Sequence, residues 1–99
     1  MRKTERIVAY PAVLIANSGT DDVYTVEFPD VKGAITEGKG MADACDKASE
    51  ALGLMLYDAA DLPKATDLKQ VIADYPADEV KLITVDLDKV KKAVRKPID

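Results

Sequence analysis

The sequence predicts an α+β fold in two layers, a small sheet covered on one face by a helix. Three observations predict it. Apolar and alternating segments fill the first third of the chain. The apolar period then lengthens from two residues to 3.6 at Met41, and a last apolar run returns at Val80 to Val85. The resulting order is βββαβ(α).

Ile7 to Asn17 is an almost unbroken apolar run, which suits a strand buried on both faces. Pro11 interrupts it and has no amide to donate, which predicts an edge or a bulge there. Asn17 to Asp22, "NSGTDD", is dense in turn formers and reads as a hairpin loop. Val23 to Phe28 alternates, so Tyr24, Val26 and Phe28 face the core while Thr25 and Glu27 face outward. The turn that follows is "PDVKG": Pro29 fixes φ, Gly33 tolerates a positive φ, and Phe28 anchors the strand end in the core. Asp30 can cap nearby amides there through an Asx-turn. Ala34 to Glu37 forms a short third strand.

From Met41, the residues Met41, Ala44, Cys45, Ala48, Leu52, Met55 and Leu56 fall at helical spacing and form the stripe that covers the sheet. Gly40 is the expected N-cap, weaker than Ser or Asp, and Asp43 in the first turn complements the helix dipole. Gly53 inside the helix is unfavourable by up to about 1 kcal/mol relative to Ala, which predicts close packing or fraying. "DLPKATDLKQVIADYPADE" is polar and broken by Pro63 and Pro76, with one or two helical turns around Asp67 to Ala73. Val80 to Val85 is the fourth strand and Leu87 to Val94 a short closing helix.

Composition bounds the function. With 99 residues, 47% hydrophobic and 32% charged, the chain is one folded soluble domain. A chain this short buries only about 60 to 65% of its unfolded surface. No internal disulfide is available to the single cysteine, so self-association is expected, with a homodimer as the default. Cysteine usage fits a reducing cytoplasm. "MRKTERIVAY" lacks the apolar core of a signal peptide, which predicts no export, and no apolar run approaches the roughly 20 residues of a membrane span. A net charge of -4 argues against broad attachment to nucleic acid or anionic lipid. The local exception is "KVKKAVRK", Lys89 to Lys96, which reads as a solvated helix end.

The words "YPAVLIAN", "YTVEFPDVKGAITEGKGMADACDKASEAL" and "LITVDLDKV" resemble the N-terminal domain of HicB-type antitoxins from about Tyr10 to Val90. The most specific part is an order: Tyr-Pro, then aromatic-x-Val-x-Phe-Pro-Asp, then Gly, Thr-x-Gly and an Ala-rich helix. The resemblance implies a truncated ribonuclease H-like fold. It also implies a function: to bind and neutralise a HicA-type toxin, a messenger-RNA-cleaving ribonuclease with a catalytic histidine, by covering its catalytic surface. An acidic inhibitor suits a basic RNA-binding toxin. The candidate contacts are the outward acids Glu27, Asp30, Glu37, Asp43, Asp46 and Glu50, with Tyr10 and Tyr57 as aromatic anchors. For the acids the bland alternative is solubility, and for the tyrosines it is core packing. Phe28, Pro29 and Gly33 are expected to be structural residues of the turn.

Two other classes remain open on the sequence. A ribonuclease H-like nuclease needs about four carboxylates converging on two metal ions. Tyr10 to Asn17 contains no acid, the second strand offers only Glu27, and Asp21 and Asp22 sit in the hairpin loop, so neither catalysis nor a metal or cofactor site is expected. Cys45 reads as a core thiol, with no histidine in the chain to activate it. The third class is a HicB-like structural or regulatory module that has no toxin. Full-length HicB-type proteins usually continue into a ribbon-helix-helix or helix-turn-helix domain that binds operator DNA and autoregulates the operon. Residues 1–94 are therefore expected to be the HicB-like domain and 95–99 a tail leading toward such a part. Specific operator binding is expected only of a form that carries it.

Overall fold

The computed structural model describes residues 6–17 and 22–94. The chain runs β1 (Ile7–Ala16), β2 (Val23–Glu27), β3 (Ile35–Lys39), α1 (Met41–Leu56), α2 (Leu68–Asp74), β4 (Glu79–Asp86) and α3 (Leu87–Val94). The four strands form one antiparallel sheet in the order β3-β2-β1-β4. The α+β class and the order of the strands, α1 and α3 match the sequence reading, and the one or two turns expected around Asp67 to Ala73 are the helix α2. The third strand begins one residue later than expected and continues to Lys39, and the tip of the first hairpin, 18–21, lies outside the described residues.

α1 covers one face of the sheet. Ala44, Ala48, Leu52 and Leu56 pack there against Tyr10, Ala12, Leu14, Val26, Phe28, Ile83 and Val85. Met55, expected on this stripe, is 43% exposed. Small residues let the helix approach closely: a Cβ at Gly38 would lie 2.6 Å from the Ala44 backbone, and one at Gly53 2.6 Å from Val90 Cγ2. Gly53 therefore marks the docking of α3 onto α1, the close-packing alternative of the sequence reading. At the start of α1, Gly40 has φ 83° and gives no side-chain cap. Asp43 reaches back instead and accepts the Lys39 N–H at 2.9 Å.

The second face is covered too, by the helix that the sequence shows only as one or two turns in a broken polar stretch. Pro11 and Val13 are buried on the side away from α1, opposite Leu82 and Val80 in register. α2 packs against β4 and β1 with Val71 buried.

Pro11 lies in an interior strand, but at a position that is locally an edge, with no strand paired on the side its missing donor would face. Leu87 N–H donates to the Arg6 carbonyl, which fixes even-numbered residues of β1 as those that bond β4; Asn17 N–H donates to Val23, which fixes odd-numbered ones as bonding β2. Pro11 is odd-numbered and points to the β2 side, where pairing begins only at Val13. The strand keeps its whole ladder to β4, and the proline leaves none of it unpaired.

Candidate functional site

The Phe-Pro-Asp turn is where two ties from distant sequence meet. Phe28 and Val31 are buried, Pro29 is exposed, and Gly33 takes φ 91°, a backbone conformation that needs glycine. The Asp30 carboxylate accepts the Thr66 N–H at 2.8 Å and the Thr66 hydroxyl at 2.6 Å. Nearby, the Tyr10 hydroxyl donates to the Pro63 carbonyl. These bonds fasten the connection between α1 and α2, which carries the chain from one face of the sheet to the other. Burial, helped by the Asp30 charge, raises the Tyr10 phenol above its ordinary value, so it remains a donor at neutral pH.

The structure distributes the sequence-predicted contact residues over separate places. Glu27 and Glu37 come together. Glu27 is opposite Ile35 and Glu37 opposite Thr25, which puts the two glutamates in diagonal positions about 7 to 8 Å apart on the face away from α1. Both are exposed, as is Ile35 at 61%, and neither glutamate forms an ion pair among the described residues. Asp46 and Glu50 lie on the opposite side of the molecule, one turn apart and exposed on α1. Asp43 is engaged locally: its carboxyl is held below its ordinary value first by the Lys39 N–H and then by Lys47, 3.5 Å away. Asp30 is half-buried on Thr66, Tyr10 is 3% exposed, and Tyr57 caps α1, its carbonyl accepting from the Arg6 guanidinium at 3.3 Å.

Sequence reasoning missed Ile35, Pro63 and Thr66. The signal for Ile35 was present: if Ala34, Thr36 and Gly38 face the helix, then Ile35, Glu37 and Lys39 face outward. No local pattern announces a carboxylate bonding a threonine 36 residues later. Among the described residues, no three Cys, Asp or Glu side chains are placed to hold a metal ion, and no helix is long and apolar enough to cross a membrane.

On the β2–β3 side, then, one exposed isoleucine stands beside two carboxylates that form no ion pair among the described residues. A family model described as the HicB-like antitoxin of bacterial toxin-antitoxin systems matches residues 10–97. The chain belongs to this family. As a HicB-like antitoxin it shares its fold with three solved structures. A toxin-antitoxin complex from Streptococcus pneumoniae aligns with TM-score 0.74 and 24% identity, over 95% of this chain and 78% of that one. The antitoxin HicB of Burkholderia pseudomallei aligns with TM-score 0.68 and 22% identity, over 93% of this chain and 71% of that one. The N-terminal domain of Burkholderia pseudomallei HicB aligns with TM-score 0.61 and 20% identity, over 77% of this chain and 95% of that one. No curated protein sequence matches the chain.

Proposed function

We propose that this HicB-like antitoxin binds and neutralises a HicA-type, messenger-RNA-cleaving toxin in the cytoplasm by covering its active surface. Membership of the antitoxin family carries this reading. The role is binding rather than catalysis. The chain supplies a rigid two-faced platform of net charge -4, and complementary charge speeds its capture of a basic RNA-binding protein.

The contact surface we favour is the β2–β3 side of the sheet, with Glu27 and Glu37 around Ile35. Its carboxylates are unpaired and stand beside exposed apolar area, whereas Asp30 and Asp43 are engaged within the chain. Asp46 and Glu50 on α1 are the alternative contact surface. The protein acts as a homodimer. Operator binding and autoregulation require a DNA-binding domain.

Co-expression with a HicA-type toxin, followed by size exclusion with light scattering, tests the reading. A stable complex of the two chains is expected. Separate elution at micromolar concentrations would remove the antitoxin role for this chain and favour a HicB-like module without a toxin.

A further inference from the structure

The two edges of the sheet differ. β3 is short, carries the charged Glu37 and Lys39, and has Gly38 pressed under α1, features that discourage further pairing. β4 has eight residues, no proline, and Leu82 51% exposed near its middle.

The ladder to β1 determines which β4 groups face out. Because Leu87 pairs with Arg6, odd-numbered residues of β4 bond β1, and Val80, Leu82 and Thr84 direct their N–H and C=O groups away from the sheet. The Thr84 carbonyl accepts the Ser49 hydroxyl at 2.7 Å and keeps a second lone pair. Among the described residues, no hydrogen bond is made by the backbone of Val80 or Leu82 on this side.

We propose that a second copy of this chain pairs with β4, antiparallel and two-fold symmetric about Leu82. Leu82 then exchanges both backbone bonds with Leu82 of the second copy, and Val80 exchanges both with Thr84. The two sheets become one, with strand overlap from Glu79 to Val85.

The register follows from the side chains. A two-fold centred one residue earlier sets Lys81 against itself. Centred one residue later, it draws in Asp86, whose carboxylate already accepts the Asp88 and Lys89 N–H groups at the start of α3. Centred on Leu82, no like charges stand directly opposite: Lys81 lies across from the buried Ile83, diagonal to Lys81 of the second copy, and Leu82 meets Leu82. α2 lies against β4, and Ile72 within it and Tyr75 just after it are exposed.

Charge selects the occupant. Glu79 and Lys81 pair with each other at 3.5 Å, so this edge offers no net charge to a basic toxin. Glu27 and Glu37, on the other side of the sheet, do. The copies associate through β4 and leave the β2–β3 side open. The proposal specifies the homodimer reading above and does not depend on the toxin.

Sedimentation equilibrium of the 99-residue chain tests it, alongside Leu82→Pro and Leu82→Lys. The Leu82 N–H faces outward, so proline there removes an edge donor without touching the ladder to β1. Circular dichroism is expected to match the parent for Leu82→Pro, while Ile83→Pro, which deletes a bond to β1, unfolds the sheet. The parent is expected to be a dimer, with the dissociation constant raised at least about tenfold in either Leu82 variant, as loss of cross-strand bonding implies. If Leu82→Pro fails to fold, Leu82→Lys decides alone. A folded Leu82 variant that stays dimeric overturns pairing through β4 and leaves the homodimer standing. A parent that is monomeric at all concentrations overturns both.

Discussion

Asp30 accounts for the Phe-Pro-Asp turn at the level of a single residue. Phe28 and Pro29 shape the strand end, but the carboxylate joins the turn to Thr66 by two hydrogen bonds. Asp30→Ala leaves the Thr66 donors partly buried without their acceptor and is expected to lower unfolding free energy by about 1 to 3 kcal/mol in urea titration. Asp30→Ala and Thr66→Ala should be strongly non-additive in a double-mutant cycle; additive losses would contradict the tie. Asp43 adds a pH dependence. Its native carboxyl titrates below its ordinary value because the ionised form accepts the Lys39 N–H. The stabilisation is complete above the unfolded value, about 4, and is lost as the pH falls through the lower native one. The melting temperature of Asp43→Asn should fall below the parent's at neutral pH, and the gap should close on acidification.

Gly53 decides how the elements pack. In an open helix Gly→Ala is stabilising by up to about 1 kcal/mol. Here the added methyl would meet Val90 and Val85, so Gly53→Ala is expected to destabilise by about 1 to 3 kcal/mol through overpacking. Thermal melts read the sign directly, and the companion Val90→Ala should recover part of the loss by opening space. Gly53 was legible as a helix glycine needing a reason, and only the position of α3 supplies it. The strands and α1 were legible because each carries its own period within a few residues. The apolar run of β1 announced that both faces are covered, but not what covers the second: Val71 is the one buried residue of α2, and a single apolar contact produces no periodic signal. Pro11 was legible only in part, for a related reason. A proline signals a missing donor, but where that donor would have pointed depends on how far β2 extends.

At the scale of the whole molecule, the acids put forward as candidate toxin contacts do not form one surface. Sequence alternation placed Glu27 outward correctly but said nothing about which outward residues share a face. The sheet register brings Glu27 and Glu37 together, and α1 carries Asp46 and Glu50 to the opposite side. This separation allows a direct comparison. Charge reversal by Glu27→Lys with Glu37→Lys is expected to weaken toxin binding several-fold, more at low salt than at high salt, because screening suppresses exposed pairs. The same reversal by Asp46→Lys with Glu50→Lys should change affinity little. The opposite ranking, measured by calorimetry at two salt concentrations, would move the interface to α1.

The most direct test of the antitoxin account is a messenger-RNA cleavage assay with the HicA-type toxin, titrated with the 99-residue chain. The account predicts that cleavage falls in proportion to added chain and stops once toxin is matched. Cleavage that continues unchanged in molar excess of folded chain would contradict it.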